Sequence, residues 1–417
     1  MTSTLSAPAH ADEGGRAWLI VAALFLMLSI VITARNCLGL MMPFWQADLG
    51  WSYKTVSEAG AGMLLVMAVF APLVGVVLDR FGARTIYGAG MTVVGIVFIL
   101  CSFMTEQWQL FALFSVAGGV AFAALAPSLV STTVAQHFRE RLGLATSIAS
   151  AGSTGGQLAL MPLFALLIST TSWRFAFVVV GVTVFATAVV VTWLIGPSKR
   201  NPSARAGADS GLLFSPLRAL CRDRTFWLLA GGFFICGFTT AGVIKIHLIP
   251  YAVSCGFPPL QSATAYGVLS AFSLIGMIGF GWLSDRFHRP VLLAAIYFLR
   301  ALTFVMLMYV AGNTPLLFLF AVMFGLFDYA TFPIVASLVA THIGRHVMGL
   351  TMGLIFGGHS LGGALGSLTG GYLFDIYARY DWVWIISVGL ALTAALLSIL
   401  IRETRTPEAT AAAGARA

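Results

Sequence analysis

Gly75-Val-Val-Leu-Asp79-Arg80-Phe81 returns 206 positions later as Gly281-Trp-Leu-Ser-Asp285-Arg286-Phe287. The same offset carries Gly119 onto Gly325, Pro127 onto Pro333, Ser131 onto Ser337, Arg139 onto Arg345, Gly143 onto Gly349, Gly152 onto Gly358 and Gly156 onto Gly362. One register held from Gly75 to Gly156 marks two copies of one unit. Both copies are apolar. The 417 residues are 59% hydrophobic and only 9% charged, against about 25% charged in a soluble domain. Such a chain cannot cover a water-facing surface, so its natural unit is a membrane span of roughly 20 residues. A duplicated membrane unit fits a transporter whose halves rock around a shared central site.

Apolar segments divided by charged punctuation fall at 17–44, 55–77, 84–104, 108–133, 140–168 and 172–195. A polar stretch, 197–225, follows, and six more segments run at 226–250, 259–283, 290–311, 314–340, 346–373 and 381–401. The pattern predicts an all-α integral membrane protein: twelve transmembrane helices in two pseudo-symmetric six-helix bundles. The expected divisions are a first bundle at 1–196, a cytoplasmic linker at 197–225, a second bundle at 226–403 and a disordered tail at 404–417. The fifth and eleventh segments are glycine-rich, which suits close helix packing in lipid.

The net charge of +8 belongs to loops rather than to nucleic-acid binding. With both termini in the cytoplasm, most Lys and Arg fall inside and only Lys54, Arg174 and Arg379 outside, as the positive-inside rule asks. The first 16 residues are polar and lack a basic start with a cleavage site, so no cleaved signal peptide is predicted. The chain reads as a multi-pass protein of the cytoplasmic (inner) membrane, functioning as a monomer. Its five cysteines, Cys37, Cys101, Cys221, Cys236 and Cys255, show no CxxC or metal spacing and read as small apolar fillers. No P-loop, metal cluster or nucleophile–base motif is present, so no cofactor and no enzymatic activity are expected.

Gly75-x-x-Leu78-Asp79-Arg80-Phe81-Gly82-x-Arg84 resembles the signature loop of the major facilitator superfamily, and Gly281 to Arg289 is its second copy. In that superfamily the loop braces helices on the cytoplasmic side during alternating access. The resemblance implies that role for Gly75, Asp79, Arg80, Arg84, Asp285 and Arg286. A narrower resemblance lies in His137-Phe-Arg-Glu-Arg141-Leu-Gly-Leu144-Ala145-Thr-Ser-Ile148-Ala149-Ser-Ala151-Gly152-Ser153-Thr-Gly-Gly156. It is similar to the fifth-span signature of the monocarboxylate transporter family, with His137, Glu140 and Ser147 departing from it; Arg141 joins the bracing set. Glu13-Gly14-Gly15-Arg16-Ala17-Trp18 looks like that family's approach to its first span, with Arg16 in place of an aromatic residue. Membership implies carriage of small carboxylates, with a proton or by anion exchange, as in the oxalate/formate exchanger that the chain also resembles. One departure is large. The family commonly carries an Asp and an Arg four residues apart in the eighth span, where this chain has Ser273 and Met277. A carboxylate clamp must then come from elsewhere.

A charge inside the membrane costs several kcal/mol unless paired or hydrated. The candidates are Arg35, Lys245, His247, Arg300, Asp328 and His359. Arg35 and Lys245 sit about two-thirds along the first and seventh spans, which line the cavity in this superfamily. Two cations there make an electropositive pocket for a carboxylate; the alternative is snorkelling to the outer interface. His247 lies roughly 200° around the helix from Lys245 and reads either as a site residue or as a packed histidine. His359, in Phe356-Gly-Gly-His359-Ser360, can bind an anion or carry a proton near neutral pH. Asp328 reads as a proton acceptor or as one partner of a structural ion pair with Arg300. Tyr251, Phe238 and Phe356, with Phe44, Trp45, Phe234, Tyr266 and Phe272, are candidate cavity walls.

The resulting expectation is a secondary transporter for small organic anions, most simply monocarboxylates, moving with a proton that offsets the electrical cost of anion entry. Its partners are a small carboxylate, a proton and the lipid bilayer. An anion exchanger, or an efflux carrier for amphipathic compounds, is the alternative.

Overall fold

The computed structural model describes residues 15–135, 142–196, 220–284, 286–343 and 348–402. Among them twelve long helices follow one another without a strand. They are α1 (Gly15–Leu49), α2 (Tyr53–Phe81), α3 (Ala83–Cys101), α4 (Gln107–Ala124, resumed at Pro127–Ala135), α5 (Leu142–Thr170) and α6 (Trp173–Ile195). The second set is α7 (Arg224–Ser254), α8 (Pro259–Ser284), α9 (Arg289–Leu307), α10 (Thr314–Ile343), α11 (Met348–Tyr377) and α12 (Asp381–Ile399). The 206-residue register holds at the backbone. Tyr53, Ala83 and Leu142 open α2, α3 and α5, and their equivalents Pro259, Arg289 and Met348 open α8, α9 and α11. Among the described residues, ten helices are long and apolar enough to cross a membrane. α2 and α11 pack along each other across the seam between the halves.

One contact is made twice. A Cβ on Gly152 or Gly156 of α5 would collide with Phe25 or Ser29 of α1. A Cβ on Gly362 or Gly366 of α11 would collide with the carbonyls of Phe234 or Phe238 of α7. Glycine is present because the paired backbones touch, the packing lipid-embedded helices favour.

The halves are joined at the end opposite the chain termini, called here the far end. Ser367 Oγ of α11 donates to Ser57 O of α2 at 2.7 Å, and Tyr53 stacks on Phe374 with ring centres 4.5 Å apart. The backbone N–H of Lys54 donates to the Asp375 carboxylate at 3.3 Å. Gly39 of α1 abuts the Ile246 carbonyl of α7, and Gly267 of α8 abuts Leu158 of α5. These contacts close the far end across the seam between the halves.

The three far-end bases are each matched by an acid: Lys54 by Glu58 (3.9 Å), Arg174 by Asp48 (3.5 Å) and Arg379 by Asp381 (2.6 Å). At the other end the signature loop is a tight corner. Gly82 takes φ +81° between α2 and α3, a conformation glycine adopts at no steric cost. In the second copy the Arg286 guanidinium stacks 3.5 Å over the Trp282 ring, and Arg289 Nε donates to Ser284 O at 3.3 Å. Arg84 is exposed. Gly75, Asp79 and Arg80 lie in the last turns of α2. The side chains of Asp79 and Arg80, together with Arg141, Asp285, most of the 197–225 linker and the 404–417 tail, lie outside the described residues.

Candidate substrate site between the halves

α1 and α7 lose regular helical geometry at equivalent points. α1 bends at Asn36–Cys37, between Gly15–Arg35 and Leu38–Leu49. α7 widens into a π-helical turn over Gly237–Ile244, and Lys245 follows it directly. Downstream, Pro43 and Pro250 each lack the N–H that a residue four earlier would use. Pro250 thus leaves the Ile246 carbonyl without its helical donor, and the side-chain-free backbone of Gly39 covers that carbonyl.

Beside these irregularities, two cations from opposite halves lie within electrostatic reach of one pair of phenols. Lys245 Nζ donates to Tyr329 Oη of α10 at 3.0 Å and lies 4.6 Å from that ring's centre. Arg35 is half-buried, within electrostatic reach of Tyr329 and of Tyr266 on α8. Tyr266 is buried and lies within reach of Arg35, Lys245, Asp328 and Tyr329 together. Among the described residues Arg35 has no hydrogen bond or ion pair of its own. Next to it, Asn36 Nδ2 donates to Gln157 Oε1 of α5 at 3.0 Å.

α10 supplies the acid. Its first part ends at Asp328, Tyr329 and Ala330 form a turn, and the helix resumes at Thr331. Phe332 N donates to Tyr329 O at 3.2 Å, so the chain tightens there and Asp328 O loses that donor. The buried Asp328 carboxylate accepts from Ser273 Oγ of α8 at 3.2 Å. The α8 position that lacks an acid is therefore faced by one from α10.

Four expectations are corrected. Arg300 and the Asp328 carboxylate do not form the anticipated ion pair. Arg300 Nη2 donates instead to the backbone carbonyls of Phe327 (2.5 Å) and Asp328 (2.9 Å), which the break in α10 leaves short of donors. Its Nη1 donates to Cys236 Sγ and Thr240 Oγ1, each at 3.1 Å, so Cys236 is a polar partner rather than a filler. Of its two readings, His247 takes that of the packed histidine in this structure. It is fully buried, with Nε2 3.0 Å from Ser367 O and Nδ1 3.2 Å from Tyr380 Oη. A carbonyl only accepts, so Nε2 carries the proton and Nδ1 accepts from the tyrosine. Both nitrogens of a neutral ring are used. Tyr251 is a packing residue: its hydroxyl donates to Leu307 O, and its ring meets Trp384 edge-on at 4.9 Å.

His359 and Phe356 form a separate group. His359 lies 5.0 Å from Phe233 and 6.2 Å from Phe356, ring centre to ring centre, and within reach of Cys236. Cys236 precedes Lys245 by nine residues, so this group is about 13 Å nearer the termini along α7. Phe238 is buried in the π-helical turn, between the two groups in sequence. Tyr329 was visible in the sequence only as a neighbour of Asp328, and Tyr266 only as one aromatic among many. The usable signal was the Gly325–Pro333 bracket, which forecasts the bend that swings Tyr329 inward.

The sequence matches the Major Facilitator Superfamily over residues 24–355 and 275–417. Similar proteins include the uncharacterized MFS-type transporter YcxA of Bacillus subtilis (strain 168), 26% identical across 93% of this chain and 96% of that protein. Monocarboxylate transporter 12 of Mus musculus is 25% identical across 91% of this chain and 84% of its own length. Among solved structures, an inward-facing, unoccupied bacterial homolog of the human lysosomal transporter Spinster superposes with TM-score 0.73 at 16% identity, over 93% of this chain and 97% of that one. The nucleoside transporter NupG gives TM-score 0.72 at 13% identity, over 94% and 100%. With the repeat, the twelve helices and the paired cavity helices in place, the chain belongs to the major facilitator superfamily.

Proposed function

We propose that this transporter carries a small organic carboxylate, and that Arg35 and Lys245 neutralise it between the halves. The reading is carried by the Lys245–Tyr329 contact, with Arg35 of the other half within electrostatic reach of Tyr329 and Tyr266. Arg35 offers an unengaged planar fork suited to a carboxylate. Lys245, already held by Tyr329, supplies a fixed positive charge from the other half. The phenols give hydroxyls for the second carboxylate oxygen and apolar faces for the rest of the molecule. The resemblance to monocarboxylate transporter 12 supports the same substrate class.

Asp328 is the proton acceptor of this reading. It is buried, uses one oxygen on Ser273 and sits within electrostatic reach of Lys245. Protonation of Asp328 and arrival of an anion at Lys245 favour each other, which couples the two cargoes. His359, with Phe356, serves the path from the termini's side rather than the clamp. With the termini cytoplasmic, the sealed far end faces outward and the halves rock to expose the site to each side in turn. The bracing loops at Asp79–Arg84 and Asp285–Arg286 break and remake contacts as they do so.

Thermal stabilisation of detergent-purified protein by benzoate, pyruvate and succinate, against their neutral amides, tests the reading. A ligand that binds only the folded protein raises its melting temperature. Stabilisation by the acids alone is expected. Stabilisation by the amides or by organic cations instead would replace a carboxylate site with an amphipath site.

A further inference from the structure

We propose that Arg300 is a positioning residue for the substrate site: from α9 it clamps the break in α10 to the π-helical turn of α7, and so fixes Asp328, Tyr329 and Lys245 against one another. The inference rests on the site proposed above. Arg300 itself touches neither Arg35 nor the phenols, and it acts through what it holds.

The contacts close a ring. Arg300 Nη1 donates to Thr240 Oγ1 at 3.1 Å. The carbonyl of Thr240 accepts from the backbone N–H of Lys245, across the widened turn. Lys245 Nζ donates to Tyr329 Oη at 3.0 Å. Tyr329 follows Asp328, whose carbonyl accepts from Arg300 Nη2 at 2.9 Å. Two helix irregularities from two different helices thus share one guanidinium. Neither is self-sufficient. The Asp328 carbonyl has lost Phe332 N to the Tyr329 carbonyl, and inside a bilayer no water replaces it. The Thr240 side chain projects from the widened turn of α7, and Cys236 ends the regular helix just before it.

The geometry needs this residue type. Arg300 is fully buried and places its two terminal nitrogens on different helices, Nη1 on α7 and Nη2 on α10. A planar fork reaches both at once, whereas the point charge of a lysine serves one. Tyr297, one turn earlier on α9, donates to Gly232 O of α7 at 3.0 Å and seats α9 against that helix.

Arg300→Lys keeps the charge and removes the fork. In nanodiscs, hydrogen–deuterium exchange of the variant should rise several-fold at 328–332 and 240–245, and stay unchanged in α1–α6 and α12. The half-saturating concentration of benzoate or pyruvate for thermal stabilisation should rise roughly threefold or more, the scale of coupling through a positioning contact. Unchanged exchange at both segments overturns the clamp. So does a uniform rise across the second half with unchanged half-saturation, which marks a residue that merely holds the bundle together. If neither carboxylate stabilises the unsubstituted protein, the carboxylate reading fails by itself and the exchange pattern still decides the clamp. If Arg300→Lys does not reach the membrane, Thr240→Val carries the test. It removes one acceptor on α7, so exchange should rise at 240–245 and remain protected at 328–332; no rise at 240–245 overturns the proposal.

Discussion

At the scale of single residues, buried polar groups divide into those with every bond made and those with capacity left over. His247 is of the first kind and Arg35 of the second. His247→Phe should leave Tyr380 Oη buried and unpaired, at a cost of about 1–3 kcal/mol, while Ser367 O keeps its helical donor. The melting temperature should fall while the half-saturating carboxylate concentration stays fixed; an altered half-saturation would return His247 to the site. Arg35→Ala and Lys245→Ala should each cut carboxylate uptake at least tenfold at normal membrane abundance, since a hydrogen-bonded charge contributes about 1.5–3 kcal/mol. Tyr329→Phe should cost less, about fivefold in KM, because Lys245 keeps its place over the ring. Uptake unchanged in both cation variants would end the clamp assignment. The six interior charged or titratable residues were legible from the sequence, because charge in an apolar run stands out. Their division of roles was not. His247 finds its partners 120 and 133 residues away in sequence, and Arg300 finds Cys236 at a separation of 64.

At the scale of helices, the 206-residue register forecast equal helix starts, and three of the six pairs begin on equivalent residues. Glycine spacing forecast close packing of the fifth and eleventh helices, and the contacts name α1 and α7 as their partners. The irregular turns were harder to read. Pro43 and Pro250 announce a missing donor, but nothing local tells whether the chain answers with a kink, as in α1, or with a widened turn, as in α7. The seal at the far end depends on such small residues. Gly371→Leu would drive a side chain into Ser57 and the Lys54 backbone, across the α2–α11 contact. It should unseal that end, so that a cysteine introduced by Ser57→Cys reacts faster with a membrane-impermeant maleimide than it does beside the native glycine. Equal rates would mean that α2 and α11 are not the seal.

At the scale of the whole molecule, a proton-coupled carrier and an exchanger differ in one acid. Asp328→Asn should abolish accumulation driven by an inward proton gradient in proteoliposomes while sparing counterflow of labelled against unlabelled carboxylate. Accumulation that survives the substitution would assign coupling elsewhere or favour exchange. Twelve helices, the duplication and the family were readable from patterning alone, because the bilayer leaves a chain few ways to satisfy its backbone. The sealed end was not, since it rests on pairs such as Ser57 with Ser367 that are 310 residues apart and unremarkable in composition.

The two copies share a scaffold but not a workload. Lys245, His247, Arg300, Asp328 and His359 all belong to the second copy, while the first contributes Arg35 alone. Duplication leaves one copy free to specialise. On the proposed assignment of the site, the second copy supplies the acid and one cation, and the first supplies the other cation. Random substitution should therefore be tolerated unevenly, with losses of transport at normal expression crowded into α7–α11 and, in the first copy, gathered around the bend after Arg35.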